Sequence, residues 1–220
     1  MMTNYDEALK ELKKQLLAMA GHAETAVLRA MRAVTERDLG LAQKIDADDC
    51  IIDQFEIHID ESAIHLLTMA PLASDLRLIT VAMRISQNLE RVGDEAGCIA
   101  RRAFELGASP ELKTDIAIPH MATLALDMLH GALSAFIGRN PAGAREVIPR
   151  DDEVDRLNGE VHRELSNLMI QDPGTITRCL ALMAVSRSLE RVADHATNIA
   201  EDVVYLYEGR DIRHSQSKIE

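Results

Sequence analysis

The sequence predicts an all-α fold built from two tandem three-helix repeats. Hydrophobic residues make up 47% of the 220 residues but aromatic ones only 3%, so aliphatic side chains and ten methionines must fill the core. That mixture suits helices better than sheets. Apolar residues recur at three- and four-residue spacing without strand-like alternation, and an acidic motif occurs twice. The third helix shows the apolar stripe most clearly, at Leu78, Ile85, Leu89, Val92, Ala96 and Ile99.

Glycine and proline mark the ends of the predicted helices. Breaks fall at Pro71, at 107–110, at Asn140-Pro141 and at 172–174, and most of the periodic segments between them contain no proline. The segments predict six helices, three on each side of the 107–110 break. The resulting units are a first repeat at 1–108, a second repeat at 109–210 and a C-terminal tail at 211–220.

The two halves carry the same acidic motifs. Leu-Glu-Arg-Val-x-Asp occurs at 89–94 and again 100 residues later, at 189–194. An Asp-x-x-x-Asp pair occurs at 49–53 and again 102 residues later, at 151–155. The two extra residues must be absorbed between the motifs, near a turn. Self-similarity of this kind predicts two copies of one structural unit.

The spacing of the acids also predicts how they face each other. Two acids four residues apart lie on one helical face, about one turn apart. In an antiparallel helical hairpin, facing residues are symmetric about the turn. In the first half the facing pairs are Asp53 with Glu90 and Asp49 with Asp94, symmetric about Pro71. In the second half they are Asp155 with Glu190 and Asp151 with Asp194, symmetric about the Asp172-Pro173 bond.

Four facing carboxylates per half indicate a cation site. Like charges within a few ångströms raise each other's pKa unless a cation neutralises them. Oxygen-only clusters suit hard cations such as Mg²⁺, Mn²⁺, Ca²⁺ or Fe³⁺, and carboxylates can bridge two or more ions. Glu90 and Asp94 lie well off the apolar stripe of their helix, so we expect any metal at the bundle surface. The simpler alternative is a solvated acidic face in which Arg91 and Arg191 pair with neighbouring acids.

Other residues point to chemistry less strongly. His195 directly follows Asp194 and is a further candidate for a metal, and Cys98 lies on roughly the same face as Glu90, although a small inert residue is the simpler interpretation. No Gly-rich phosphate loop, nucleophile elbow or Ser/His/Asp grouping occurs in the sequence. We therefore predict no catalytic and no organic cofactor-binding residues.

Charge and cysteine content narrow the classes of partner. A formal net charge of −12 disfavours nucleic acid and anionic membrane surfaces and favours cations or basic protein surfaces. The three cysteines, at 50, 98 and 179, form neither a Cys-x-x-Cys pair nor a disulfide framework, which fits a reducing cytoplasm. Neither a signal peptide nor a run of 18 apolar residues is found.

Three segments together resemble the PhoU family of phosphate-uptake regulators. They are Leu-Glu-Arg-Val-Gly-Asp at 89–94, Leu-Glu-Arg-Val-Ala-Asp-His-Ala-Thr-Asn-Ile-Ala-Glu at 189–201, and Pro-Leu-Ala-Ser-Asp-Leu-Arg at 71–77. A Glu-x-x-x-Asp alone is a weak signal, but two Leu-Glu-Arg-Val copies at repeat spacing are a strong one. The match spans nearly the whole chain.

The resemblance implies a function and a set of partners. It implies a negative regulator of phosphate uptake and phosphate-starvation signalling, without enzymatic activity. Its partners would be a membrane-associated sensor histidine kinase and the ATPase subunit of the phosphate ABC importer, with a homodimer as the expected assembly and no nucleic acid bound. The location would be cytoplasmic, peripheral to the inner face of the membrane through these partners.

The resemblance also implies metal at the acidic motifs. The cation would be Fe, Mn, Mg or Zn, and the implied ligands are Asp49, Asp53, Glu90, Asp94, Asp151, Asp155, Glu190 and Asp194. The first repeat departs from the fuller pattern, because Asp94 is followed by Glu-Ala-Gly-Cys where Asp194 is followed by His-Ala-Thr-Asn. We therefore expect the second site to bind at least as well as the first.

Two alternative functions and one candidate contact surface also follow from the sequence. A ferritin-like carboxylate-bridged enzyme would need Glu-x-x-His on two helices, and the sequence contains none. A purely structural helical module, with every acid solvated, is the other alternative. Asp75 and Arg77, in the Ala-Ser-Asp-Leu-Arg segment present only in the first repeat, are either local helix-end residues or a contact surface for a partner protein.

Overall fold

The computed structural model describes residues 4–69, 73–112 and 116–213, without the side chains of 46–49 and 74. The described residues form no strand, so the all-α prediction is confirmed. The first half contains α1 (Asn4–Glu36), α2 (Leu39–Thr68) and α3 (Ala73–Gly107). The second half contains α4 (Ile118–Gly138), α5 (Pro141–Val147), α6 (Asp151–Gln171) and α7 (Ile176–Glu208), with short 3-10 turns at Ile148–Arg150 and Pro173–Thr175.

The helix count differs from the six predicted, because the counterpart of α2 is divided. Where α2 runs for 30 residues, the second half has α5, a 3-10 turn and α6. Pro149 lies in that turn, and proline removes a backbone donor and crowds the preceding turn of an α-helix. The tandem three-helix architecture therefore holds, with one arm of the second repeat bent at Pro149.

Three side-chain caps mark the starts of helical segments, and two of them, at Asn140 and Asp172, fall at predicted breaks. Asp38 accepts a hydrogen bond from the backbone N–H of Leu41 at 2.9 Å, and Asn140 accepts one from Gly143 at 3.0 Å, so both cap the helices that follow them. The predicted turn at 172–174 is present, and there Asp172 Oδ1 accepts from the backbone N–H of Gly174 at 2.9 Å. The other predicted turn, at Pro71, lies outside the described residues.

The two repeats pack side by side through their long third helices, α3 and α7. One continuous cluster of buried apolar side chains runs through both halves. Matched serines are buried against methionines in the two repeats: Ser86 Oγ lies 3.4 Å from Met19 Sδ and Ser186 Oγ lies 3.5 Å from Met121 Sδ. The internal repeat seen in the sequence is thus also a repeat of core contacts.

The connection between the halves is held by an arginine from each repeat. Arg37 Nη1 donates to the carbonyl of Ser109 at 2.7 Å, and Arg178 Nη1 donates to the carbonyl of Pro110 at 3.0 Å. Backbone carbonyls that leave a helix need such partners. The connection is therefore fixed to the first helix of one repeat and the last helix of the other.

One helix among the described residues, α4, is long and apolar enough to cross a membrane. More than half of that stretch is buried inside the bundle. Its buried residues include Met121, Met128 and Leu129, which are fully enclosed. Within this structure α4 serves as the central core helix of the second repeat.

Candidate metal centres

Each helical hairpin carries one acidic cluster. In the second repeat, Asp151 and Asp155 lie on α6 and Glu190 and Asp194 lie on α7. The two helices pack against each other, and the turn at 172–174 sets their register. The observed electrostatic neighbours match that register, because Asp194 is the charge that acts most strongly on Asp151.

The acids of the second cluster raise one another's pKa. Burial, followed by the charges of Asp194 and Asp155, raises the pKa of Asp151 to about 7. Burial and the charge of Asp194 also raise the pKa of Glu190, although Arg187 opposes this shift. The pKa of Asp194 is raised by burial and by Asp155. These carboxylates are thus held close together at a cost in free energy that a bound cation would remove.

Two oxygens of the second cluster have no hydrogen-bond partner among the described residues. They are Asp151 Oδ1 and Glu190 Oε2, and both are buried. A buried unpaired carboxylate oxygen is costly, because its hydration is lost without replacement. A hard cation coordinated by oxygen would satisfy both atoms, so the residues present fit the metal that the motif implies.

The described side chains do not converge into a ligand shell as they stand. Among residues whose side chains are described, no three His, Cys, Asp or Glu side chains are close enough together to hold a metal ion. Carboxylates that repel one another close around a point only when a cation draws them together. The arrangement is therefore a cluster of acids on two facing helices, with the ligand role of each acid still a prediction.

The first repeat has a comparable cluster on α2 and α3. The pKa of Glu90 is raised by burial, then by Asp94 and, more weakly, by Glu56 and Asp53, while Arg91 opposes the shift. The side chain of Asp49 lies outside the described residues. Glu90, which was predicted to face Asp53, is therefore within electrostatic range of it, and the cluster extends one turn further along α2, to Glu56.

Glu56 was missed by the sequence reasoning. Burial and then Asp60 and Asp53 raise its pKa. The signal was available, since Glu56 is three residues after Asp53 on the same helical face. At the repeat offset of the α2 motif the second repeat has Asn158, which accepts a hydrogen bond from Ser186 at 2.5 Å. The two clusters therefore differ in composition, with one more carboxylate in the first.

Two acids of the clusters are more buried than the predicted surface location of the metal implies. Their arginine partners, in contrast, partly agree with the alternative of a solvated acidic face. The Glu190 side chain is only 13% exposed and that of Glu90 only 21%. Arg91 lies 3.4 Å from Glu90 Oε2 and Arg187 lies 3.1 Å from Glu190 Oε1. Arg191, expected to pair with a local acid, instead pairs with Glu95 of the other repeat at 3.0 Å.

His195 and Cys98 make their side-chain contacts with residues outside the acidic clusters. His195 Nδ1 is 3.0 Å from Asn88 Oδ1 across the contact between the repeats, and burial lowers the pKa of its imidazole. Cys98 is a free cysteine whose Sγ is 2.9 Å from Arg101 Nη2. The structure thus places His195 in the contact between the repeats and gives Cys98 a local partner on its own helix.

Asp75 and Arg77 lie at the start of α3, near the end of α7. The Arg77 guanidinium stacks over the Tyr205 ring at 5.6 Å. A Cβ added at Gly209, which has φ +69, would lie 2.9 Å from Arg77 Nη1. The pKa of the Tyr5 hydroxyl is raised by burial and then by Asp75. Arg77 therefore bridges the two repeats within the chain, besides being a candidate for contact with a partner.

Comparisons with known proteins identify the architecture. The PhoU domain family model matches the chain twice, over residues 16–103 and 118–203. The phosphate-specific transport system accessory protein PhoU homolog of Rhizobium meliloti is 40% identical over 210 residues, covering 94% of this chain and 89% of the relative. The homolog from Aquifex aeolicus is 36% identical over 211 residues, covering 96% of both chains.

Solved structures agree with the sequence comparison. The crystal structure of PhoU from Pseudomonas aeruginosa superposes with a TM-score of 0.91 at 39% identity, covering 94% of this chain and 100% of that one. The phosphate transport system regulatory protein PhoU from Streptococcus pneumoniae gives a TM-score of 0.89 at 27% identity, covering 95% and 99%. With two family domains, relatives of matching length and the same fold, the chain belongs to the PhoU family.

Proposed function

We propose that this chain is a negative regulator of phosphate uptake and of phosphate-starvation signalling. In this role it is a cytoplasmic, non-enzymatic adaptor between the phosphate ABC importer and a sensor histidine kinase, working as a homodimer at the inner face of the membrane. Family membership supports this role, because relatives of nearly the same length are named accessory or regulatory proteins of phosphate transport. The net charge of −12 supports basic protein surfaces as partners rather than nucleic acid.

The observation that most directly supports a metal-dependent form of this adaptor is the pair of unpartnered buried oxygens on α6 and α7. Asp151 Oδ1 and Glu190 Oε2 belong to different helices of one hairpin. A cation of the Fe, Mn, Mg or Zn group held by Asp151, Asp155, Glu190 and Asp194 would join these helices. A second cation would be held by Asp49, Asp53, Glu90 and Asp94, with Glu56 as an additional carboxylate.

Thermal unfolding tests the metal part of the proposal. Because the unfolded chain cannot hold four carboxylates together, Mn²⁺ or Fe³⁺ at about 100 times its dissociation constant should stabilise the fold by about 2.7 kcal/mol for each site that it fills. For a chain of this size that corresponds to a rise in midpoint of roughly 5–10 °C per site. A Glu190→Gln, Asp194→Asn variant should lose the part of the rise that comes from the second site.

Glu160→Gln is the matched control, because Glu160 is on α6 but pairs with Arg156 rather than facing the acidic cluster. It should keep the full metal-dependent rise. A wild-type midpoint that does not respond to either metal would show that the acids are only a solvated face, as in a purely structural helical module.

A gene deletion tests the regulatory part. In cells grown with abundant phosphate, loss of the chain should switch on a phosphate-starvation reporter, and the wild-type gene should restore repression. Pull-down of the importer ATPase and of the sensor kinase from membranes of the same cells tests the adaptor role. A reporter that stays repressed in the deletion strain would contradict the proposed function.

A further inference from the structure

A polar cavity, open to solvent, lies between the repeats and borders both acidic clusters, because Asp194 lines it and its Arg91 pairs with Glu90 and Asp94. Its volume is about 590 Å³, and it is lined by α3, by α7 and by the segment that follows α7. Arg91 and Arg191 line it from the two helices, and Arg213 from the tail. Arg91 and Arg191 are equivalent residues of the two repeats, at the 100-residue offset of the shared motif. The internal repeat thus brings two copies of one arginine to a single cavity.

The arginines keep hydrogen-bond donors for a ligand. Arginine has five N–H donors. Arg191 uses Nη1 on Glu95 Oε1 at 3.0 Å, and Arg91 uses Nε and Nη1 on Glu90 and Asp94 at the longer distances of 3.4 and 3.8 Å. The hydroxyl of Thr197, another lining residue, is buried without a partner among the described residues.

The same cavity contains hydrogen-bond acceptors that lack a donor. Glu95 is only 7% exposed, and its Oε2 has no partner among the described residues although its Oε1 accepts from Arg191. Asn88 Nδ2 donates to the Arg84 carbonyl, so Asn88 Oδ1 is free to accept from His195 Nδ1. This assignment leaves His195 Nε2 as an acceptor.

The charges in the cavity select the kind of anion. Three arginines line the cavity together with the carboxylates of Glu95, Asp194 and Glu201, and Arg91 and Arg213 also pair with carboxylates outside the lining. Arginines that are already opposed by carboxylates leave no excess positive charge, which disfavours a doubly charged anion that can only accept hydrogen bonds. This lining favours an anion of low charge that also donates, because the buried Glu95 oxygen then gains a partner instead of facing a like charge.

Inorganic phosphate has this chemistry at neutral pH, because it carries both ionised oxygens and at least one P–O–H group, whereas sulfate carries no proton. We propose that the cavity between α3 and α7 binds inorganic phosphate, with Arg91 and Arg191 donating to its oxygens and Glu95 accepting a hydrogen bond from its P–O–H group. The inference uses the proposed phosphate-linked function only in the choice of ligand. Through this site the chain would respond to phosphate itself, as well as to its partner proteins.

The test is equilibrium binding of radiolabelled inorganic phosphate to the purified full-length chain. Chelator treatment and dialysis beforehand ensure that phosphate cannot bind through a metal at the acidic clusters. We expect saturable binding of about one phosphate per chain. Sulfate as competitor should be at least about tenfold weaker, since removing or mismatching one charge-assisted hydrogen bond changes affinity by that order.

Variants assign the binding to this cavity. Arg91→Gln should weaken phosphate binding by about tenfold or more. Glu95→Gln should reduce the preference for phosphate over sulfate, because a neutral amide no longer repels sulfate and can donate to it. Thr197→Val, which keeps the shape of the side chain, should weaken binding without disturbing an ion pair. Arg102→Gln is the matched control, because Arg102 is on α3 but pairs with Glu105.

Several results would overturn the inference. They are an absence of saturable phosphate binding, equal binding of sulfate and phosphate, or equal binding by wild type and by both the Arg91→Gln and Thr197→Val variants when circular dichroism shows them folded. Failure here is distinguishable from failure of the proposed function, since the reporter in the deletion strain does not depend on phosphate binding by the isolated chain.

Discussion

Two carboxylates that lose water on folding have opposite environments, one paired with a cation and one surrounded by negative charge. Asp202 is only 4% exposed, yet Arg84 Nη1 donates to its Oδ1 at 3.1 Å. Asp151 also loses water, but its Oδ1 has no partner among the described residues and its nearest charges are negative. Asp202 therefore contributes to the fold, whereas Asp151 opposes it unless a cation or a proton neutralises the cluster.

The pKa of Asp151 leads to a prediction about pH. Its folded-state pKa of about 7 lies above the ordinary value of 3.8, so the folded chain holds this proton more tightly. The contribution of this tighter proton binding to folding stability is complete below about pH 4 and is lost as the pH rises through about 7. Asp151→Asn should therefore stabilise the metal-free chain at about pH 8 by about 1–2 kcal/mol, less than the whole shift implies because solvent screens a half-buried carboxylate.

Urea unfolding at two pH values checks this expectation. The gain should be large at about pH 8 and nearly absent at about pH 3, where both states carry the proton. Asp152→Asn is the control, because Asp152 lies in the same first turn of α6 but is exposed. A gain of the same size from Asp152→Asn would attribute the effect to the helix terminus rather than to the acidic cluster.

At the level of the helices, the end of α7 is joined to the start of α3. Helix α7 ends at Gly209 in the left-handed region, a conformation that a side chain would strain. The chain then passes close to Arg77 at the start of α3. The stacking of Arg77 on Tyr205 therefore joins the first turn of α3 to the last turns of α7.

Arg77→Ala should accordingly destabilise the chain by about 1 kcal/mol, because a partly exposed cation–π contact and the packing of the arginine stem are both lost. Arg77→Lys keeps the charge but not the planar stacking, so it should fall between wild type and Arg77→Ala. Urea unfolding provides the measurement. Unchanged stability of Arg77→Ala, together with activation of a phosphate-starvation reporter, would instead favour Arg77 and Asp75 as a contact surface for a partner.

In the whole molecule, the contact between α3 and α7 carries an ion pair that joins the repeats. Asp202 of the second repeat is enclosed, and Arg84 of the first repeat is its ion-pair partner. Burial raises the pKa of Asp202, and the hydrogen bond from Arg84 opposes that shift. Removing the arginine would leave an uncompensated buried carboxylate.

Arg84→Met should cost about 3 kcal/mol of unfolding free energy at neutral pH for this reason. The double variant Arg84→Met, Asp202→Leu should recover much of that loss, since it removes the buried charge as well as its partner. Arg102→Met is the control, because it breaks an exposed pair within one helix turn and should cost less than about 0.5 kcal/mol. An Arg84→Met cost as small as the control's would contradict the prediction.

The sequence was sufficient for the features that depend on neighbours along the chain. Helical periodicity, proline and glycine breaks, and the doubled acidic motif predicted the all-α class and the repeat. Counting residues from the turn at 172–174 also predicted that Asp155 lies near Glu190, because two antiparallel helices joined by a short turn have little freedom of register. The division of the fifth predicted helix was missed, although Pro149 was visible, because a proline in the first turn of a helix is often tolerated.

Contacts between residues that are distant in the sequence could be identified only from the folded structure. Arg191 is next to Glu190, so the sequence favoured a local ion pair. Arg191 instead pairs with Glu95, which is 96 residues away. Arg84 and Asp202 are 118 residues apart, and no spacing rule connects them. Which faces of α3 and α7 meet depends on how the two repeats together bury their apolar surface. That packing brings Arg91, Arg191 and Glu95 around one cavity.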